Sequence, residues 1–182
     1  MKKNIFIFLI ILLAKNSFAQ TNGTFSLTQY YTDSINTLNR TQGSLDTLKK
    51  FYIEKNIAFD SIQNIGLYTL AYDWIGTRYR YSGSNKNGVD CSGFTKNIYK
   101  KIYCKELQGG STDLYAISTP VEKSDLKEGD MVFFKIKKGR ISHVGVYLRN
   151  NKFVHASVKG GVMINDLDEA YYKKYFFKGG RL

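Results

Sequence analysis

The sequence has little proline, cysteine or histidine. Its 182 residues include one proline, two cysteines and two histidines. The two cysteines, Cys91 and Cys104, are predicted to lie on one helix, where a separation of 13 residues corresponds to about 20 Å. A disulfide requires Cα atoms within about 7 Å of each other, so no bridge is expected. We predict that Cys91 is a free thiol with a chemical role and that Cys104 packs as a small hydrophobic residue.

The sequence also lacks an apolar run of the roughly 20 residues that a membrane-spanning helix needs. Its clearest apolar run, Ile5 to Ala14, follows a basic start and precedes the small-x-small site Ser17-Phe18-Ala19. This pattern predicts a secretory signal peptide over residues 1–19, a secreted or periplasmic protein and no stable membrane span. An uncleaved anchor is the alternative.

Acidic residues are scarce, with 15 Asp and Glu against 27 Lys and Arg, for a formal net charge of +12. The predicted signal peptide holds three lysines and no acid, so its removal would leave +9. Such an excess attracts anions, including nucleic acid, anionic lipid and acidic wall polymers, and charge alone does not choose among them.

Residues 20–60 are rich in Thr, Ser and Asn, and they are predicted to form a partly ordered N-terminal extension. One short helix in this extension begins after Ser44 and is marked by its apolar residues, Leu45, Leu48 and Tyr52. The apolar pattern strengthens from Ser61, so residues 61–182 are predicted to form one domain.

The predicted domain has helices first and strands after them. The first helix ends at Gly76 and has apolar residues at helical spacing: Leu67, Leu70, Ala71, Trp74 and Ile75. The second is capped by Asp90 and buries Phe94, Ile98 and Ile102. A loop with Pro120 precedes five short β-rich runs, 131–136, 141–148, 153–158, 162–165 and 175–178, with a helical turn at 166–172. This order predicts an α+β fold with an antiparallel sheet.

The segment Asp90-Cys91-Ser92-Gly93-Phe94 places a nucleophile beside a helix cap. Cys91 would occupy the first helical position, where unpaired N–H groups and the helix dipole favour negative charge. This position predicts a lowered thiol pKa and a reactive thiolate. Gly93 would let another part of the backbone approach closely. A buried, inert cysteine in an ordinary helix is the alternative.

The two histidines, His143 and His155, each lie in a predicted strand. Histidine suits acid–base work near neutral pH. His143 would activate Cys91 and protonate the leaving amine, while His155 would hold the ring of His143 in the useful tautomer. A lone histidine in a strand is usually structural, and the pair together with the cysteine favours the catalytic interpretation.

This interpretation makes a demand on the hairpin between the two histidines. Both rings must lie on one face of the sheet. Because side chains alternate between the two faces, the numbers of any two residues that face each other across the hairpin must then add up to an even number. A three-residue loop from Arg149 to Asn151 opposes Leu148 to Lys152 and Gly145 to His155. We therefore predict such a loop, or a bulge.

Five segments carry a family resemblance: residues 76–83, 90–94, 126–134, 143–147 and 153–156, in this order. Together they resemble the NlpC family of cell-wall endopeptidases, which are papain-like in fold. Three positions depart from the family's pattern: Arg78 and Glu128 stand where the family has proline, and Ser82 where it has glycine.

The resemblance implies cleavage of peptidoglycan stem peptides between γ-D-glutamate and a diamino acid. It assigns Cys91 as nucleophile, His143 as base and His155 as third member, with Tyr79 helping at the oxyanion. Further candidates for substrate contacts are Ser92 and Arg78, whose charge could meet a stem carboxylate. Asp90 is assigned the helix cap. The expected partner is the stem peptide, with no cofactor, no metal and no nucleic acid, and the protein is expected to be a monomer.

Three alternatives stay open at this point. The same fold could carry another activity, such as a wall amidase or an acyltransferase. The domain could bind the wall without catalysis. Cys91, His143 and His155 could bind zinc, although their spacing lacks a close ligand pair.

Overall fold

A computed structural model describes residues 27–182, and the predicted signal peptide lies outside the described residues. The described part of the chain divides into two compact units between Ser44 and Leu45. The first helix, α1, is Leu27–Glu54. It is longer than the short helix predicted after Ser44, because Thr and Ser side chains that weaken a helical pattern are accommodated within it. The hydroxyls of Thr37, Thr41 and Ser44 each donate to a backbone carbonyl four residues earlier.

The second unit includes residues that the sequence analysis placed in the extension. Leu48, Tyr52 and Ile57 are buried in its core, and the hydroxyl of Tyr52 donates to the backbone carbonyl of Tyr68 at 2.8 Å. The compact unit therefore begins at Leu45 rather than at Ser61.

The next two helices each begin at a side-chain cap, of which only Asp90 was predicted. Helix α2, Ile65–Trp74, begins after Asn64, whose side chain accepts a hydrogen bond from the N–H of Leu67. Glu128 also binds this helix start, because its Oε2 accepts from the N–H groups of Gln63 and Asn64. After the short hairpin β1 (Ser84–Asn85) and β2 (Gly88–Val89) comes helix α3, Cys91–Tyr103.

The remaining elements form and cover a six-stranded antiparallel sheet. Helix α4 is Ser111–Ala116, and helix α5 is Ala170–Tyr175. The strands are β3 (Thr119–Val121), β4 (Met131–Phe134), β5 (His143–Tyr147), β6 (Lys152–Ser157), β7 (Gly161–Asp166) and β8 (Phe176–Arg181). The order across the sheet is β3-β8-β4-β5-β6-β7. The predicted loop at Pro120 is thus an edge strand, the position in a sheet where proline is tolerated. Two 3₁₀ turns, Phe59–Ser61 and Lys123–Asp125, complete the fold.

The pairing of β5 with β6 has the register that the histidines require. Val146 opposes Val154 and Tyr147 opposes Phe153, so opposed numbers have an even sum. The N–H of Leu148 donates to the carbonyl of Lys152 at 2.9 Å, which closes a three-residue loop. The predicted loop is therefore confirmed.

Apolar side chains fill both faces of the sheet. On one face, the end of α1 together with α2 and α3 packs on Val146, Val154 and Ala156. A second cluster on this side joins Cys91 to Val144. On the other face, α5 contributes to a cluster around Phe134, Phe153 and Tyr172. The predicted α+β architecture is confirmed.

Candidate active site

Asp90 holds the start of helix α3 through three hydrogen bonds. Its Oδ1 accepts from the N–H of Gly93 at 2.6 Å and from the hydroxyl of Ser92 at 2.9 Å. Its Oδ2 accepts from the N–H of Ser82 at 2.9 Å. The capping interaction predicted for Asp90 is present, and the Ser92 hydroxyl proton is engaged in the same cap rather than directed to a ligand.

Gly93 lets the backbone of the preceding loop reach the helix. A Cβ atom built at this position would lie 2.2 Å from the carbonyl oxygen of Gly83, far inside van der Waals contact. The predicted close approach is therefore real, and it joins the loop that ends at Gly83 to the first turn that carries Cys91.

Cys91 lies buried at the first position of α3, with 9% of its surface exposed. Burial is the largest influence on its thiol, and it raises the pKa, with a smaller contribution from the Asp90 carboxylate. The N–H groups of Val144, Ser92 and Cys91 itself act in the opposite direction without reversing the shift. The sequence-based expectation of a lowered thiol pKa is wrong, because loss of hydration outweighs the helix start.

His143 and His155 contact each other directly inside the sheet. Nε2 of His143 lies 2.7 Å from Nδ1 of His155, and the rings meet nearly at right angles. Both rings belong to the aromatic cluster that contains Phe134, Phe153 and Tyr172. Burial lowers the pKa of His143 well below 6.5 and that of His155 to about 4. Both imidazoles are therefore neutral near pH 7.

Gly145 makes room for this contact between the rings. A Cβ atom at Gly145 would lie 3.0 Å from the Cβ atom of His155 and 2.8 Å from the ring of Phe153. A side chain here would therefore displace His155 or its neighbour.

Two polar side chains contact His155 and a third contacts one of these two, and none of the three was predicted from the sequence. Nε2 of His155 lies 2.9 Å from Oδ1 of Asn165 and 3.2 Å from the hydroxyl of Tyr172. The amide nitrogen of Asn165 in turn donates to both carboxylate oxygens of Glu169, at 3.1 and 2.9 Å. Asn165 opposes Phe153 and therefore lies on the same face of the sheet as His155, and this pairing cannot be read from the sequence alone.

A cleft of about 460 Å³ opens beside Cys91. Polar and charged residues dominate its lining, which includes Tyr79, Tyr81, Cys91, Lys96, Asp113 and Lys137. Ser92 lines it as well, so the structure places both Ser92 and Tyr79 beside the cleft that Cys91 lines. Arg78 lies outside the described lining residues, and its Nε donates to the carbonyl of Asn87 at 2.6 Å.

Cys104 does not pack in the interior. Both cysteines are free thiols, as predicted, but Cys104 is exposed. Helix α3 ends at Tyr103, and Cys104 adopts a left-handed backbone with φ of 54°. This turn directs its side chain to solvent, so the prediction of a packed Cys104 is wrong.

The described residues 27–182 contain no group of three or more His, Cys, Asp or Glu side chains arranged to hold a metal ion. Cys91, His143 and His155 are therefore not clustered as a zinc site in this part of the chain. The same range has no helix with the length and apolar character needed to cross a bilayer.

Comparisons with known proteins find similar sequences and folds. A model of the NlpC/P60 family matches residues 76–181. Over 110 residues the chain is 39% identical to the "Probable endopeptidase NlpC homolog" of Haemophilus influenzae, and over 111 residues it is 40% identical to the "Murein DD-endopeptidase MepS/Murein LD-carboxypeptidase" of Escherichia coli. Each match covers 60% of this chain and 58% of the relative, so the chain spans little more than half the length of these relatives.

The fold also matches solved structures. An NlpC/P60 family protein from Bacillus cereus aligns with a TM-score of 0.59 and 28% identity, over 63% of this chain and 38% of that one. The matched region contains all five of the segments on which the family resemblance was based.

Proposed function

Because the chain belongs to the NlpC/P60 family, we propose that it is a secreted cysteine endopeptidase that hydrolyses the stem peptides of peptidoglycan. The observation that carries the proposal is the thiol of Cys91 at the start of α3, beside the cleft and against β5. The backbone N–H of Val144, the residue that follows His143 on β5, lowers the pKa of the Cys91 thiol, so β5 lies against the sulfur. Both relatives named above are described as endopeptidases, and one of them as a murein endopeptidase.

The proposed reaction begins from a neutral thiol and a neutral imidazole. Nε2 of His143 is occupied by His155, which leaves Nδ1 to take the thiol proton as the sulfur attacks the carbonyl carbon of the stem peptide. The imidazolium then gives this proton to the leaving amine, and a thioester with Cys91 remains. A water molecule gives a proton to His143 and attacks the thioester. The acid product leaves, and the proton returns to the sulfur.

Two groups in the cleft suit the negative oxygen of the tetrahedral intermediate. The N–H of Cys91 is at a helix start, where backbone donors have no partner within the helix. Tyr79 lines the cleft, and burial raises the pKa of its hydroxyl, so it keeps its proton and remains a donor. We assign Tyr79 to the oxyanion and leave Arg78 without a substrate role, since its guanidinium binds Asn87 instead.

The cleavage position is assigned to the bond between γ-D-glutamate and the diamino acid. The resemblance of the five sequence segments supports this choice. The name of the Escherichia coli relative specifies D,D and L,D bonds, and these are the second candidate. The net charge of +9 that would remain after removal of the predicted signal peptide favours an anionic wall substrate over a neutral one.

Digestion of purified peptidoglycan, followed by mass spectrometry of the soluble fragments, tests the proposal. Three proteins are compared: wild type, Cys91→Ala and the matched control Cys104→Asn. Asparagine suits the left-handed backbone at position 104, so this control removes the other thiol with little strain. Wild type and Cys104→Asn should release fragments at equal rates, and Cys91→Ala should release none while still binding the wall.

The fragments also separate the remaining activities. Cleavage after γ-D-glutamate leaves a dipeptide on the sugar and releases a peptide that begins with the diamino acid. D,D cleavage converts cross-linked stems into monomers, L,D cleavage removes a terminal D-residue, and an amidase releases the intact stem from the lactyl group. Undiminished hydrolysis by Cys91→Ala would contradict a thiol mechanism, and binding without hydrolysis by wild type would favour a binding module.

A further inference from the structure

A chain of hydrogen bonds extends from His143 away from the cleft. It passes from His143 to His155, then to the side-chain amide of Asn165, and it ends on the carboxylate of Glu169. Asn165 lies on β7, and Glu169 immediately precedes α5. Each donor–acceptor distance from His143 to the nearer Glu169 oxygen lies between 2.7 and 2.9 Å. These are ordinary lengths for hydrogen bonds.

The direction of every hydrogen bond in this series is set by the group at its end, the carboxylate of Glu169. A carboxylate only accepts hydrogen bonds, so the group of Asn165 that faces Glu169 must be its NH₂. The amide oxygen of Asn165 then faces Nε2 of His155 and also only accepts. Nε2 of His155 must therefore carry the proton of that neutral ring, which leaves Nδ1 of His155 as an acceptor. Nε2 of His143 must in turn carry a proton and donate it.

We propose that Asn165 and Glu169 are positioning residues that hold His143 in the tautomer with a proton on Nε2 and a lone pair on Nδ1. The catalytic consequence rests on the proposed function, because this lone pair is the one assigned to receive the proton of Cys91. In the opposite tautomer, Nδ1 of His143 would carry a proton and could not act as the base. Neutral histidine needs such a device, since its two tautomers differ little in energy until a partner selects one.

Tyr172 is not the group that sets this direction. Its hydroxyl lies 3.2 Å from Nε2 of His155 and 3.4 Å from Oδ1 of Asn165. A hydroxyl can both donate and accept, so it is compatible with either tautomer. Tyr172→Phe is consequently the matched control for the Asn165 variants.

Nitrogen NMR of the imidazole rings reads the tautomer directly. The chain has only two histidines, so protein labelled with ¹⁵N-histidine reports on this pair alone. Near neutral pH, wild type and Tyr172→Phe should show protonated Nε2 and unprotonated Nδ1 in both rings. Asn165→Leu removes both the acceptor and the donor, and it should populate the other tautomer in both rings.

A conservative rescue separates the donor pattern from simple packing. Asn165→Asp combined with Glu169→Gln reverses the donor and acceptor between these two side chains, yet it still presents an acceptor to His155. This double variant should therefore keep the wild-type tautomer. Backbone amide spectra of each variant check that the fold is retained.

Kinetics with a wall substrate supply the second measurement. Asn165 lies outside the described residues that line the cleft. Asn165→Leu should therefore lower kcat by about tenfold or more and leave KM within about twofold, while the double variant recovers most of kcat. If the rings of folded Asn165→Leu keep the wild-type tautomer, or if wild type itself carries protons on Nδ1, the inference is overturned. The NMR result does not depend on turnover, so a failure of the proposed function would leave it intact.

Discussion

The buried histidine pair predicts a specific loss of stability in mild acid. The pKa of His155 is lowered to about 4 by burial, against 6.5 for an exposed imidazole, with partial compensation from Asn165 and Glu169. Between these two values the unfolded chain binds a proton that the folded protein does not. The contribution of His155 to the free energy of unfolding is therefore fully present above pH 6.5 and is lost as the pH falls toward 4.

The magnitude follows from the difference between the two pKa values. At about 1.4 kcal/mol per pH unit, the full effect of His155 is about 3 kcal/mol. About 2 kcal/mol of it is lost by pH 5, where the unfolded imidazole is charged and the native one is still largely neutral. His143, whose pKa is also lowered by burial and by His155, adds to the loss in the same direction.

Urea denaturation at about pH 7.5 and pH 5 measures this effect. The fall in unfolding free energy between the two pH values should be about 2 kcal/mol smaller in His155→Gln than in wild type. Carboxylates contribute equally to both proteins, so the difference between the two falls isolates the histidine. An identical fall in wild type and His155→Gln would refute a buried, neutral His155.

Other predictions concern the helix start, an ion pair and the thiol. Gly93→Ala should cost about 2 kcal/mol in thermal unfolding, because its Cβ would clash with the carbonyl of Gly83; an unchanged Tm would contradict the contact. Asp130→Ala should cost about 2 kcal/mol in urea, because Asp130 accepts two bonds from Arg181 and one from a backbone N–H, and retention of full stability would count against that network. In a Cys104→Asn background, alkylation of Cys91 by iodoacetamide should still accelerate above pH 9.0, and a rate that levels off near pH 7 would indicate a resting thiolate instead.

Features governed by local chemistry were predictable from the sequence. Asp90 caps α3 as expected, since a short acceptor before an apolar helical pattern has one favourable use. The hairpin register was predictable because the side-chain period of a strand is two, so only an even sum could bring His143 and His155 together.

Features that depend on burial were not predictable in the same way. The helix start at Cys91 suggests a lowered thiol pKa, yet the sequence does not show how completely the sulfur is removed from water. Cys104 has an apolar side chain in an apolar pattern, but one left-handed residue turns it outward. Asn165 lies at the end of β7, and its relation to His155 requires the pairing of β6 with β7, which only the assembled sheet provides.

Burial shifts the pKa values of the two groups proposed to react, Cys91 and His143, in opposite directions, and in the proposed mechanism this decides the charge state from which the reaction starts. The same exclusion of water raises the pKa of the Cys91 thiol and lowers that of the His143 imidazole, so both move toward the neutral form. An ion pair at rest would need charges that the site does not solvate. The donors at the start of α3 then matter most as the proton moves, because they stabilise negative charge that appears on sulfur and oxygen only during attack. A site that stabilises charge only at that stage favours the transition state over the resting enzyme, and this preference is what accelerates a reaction.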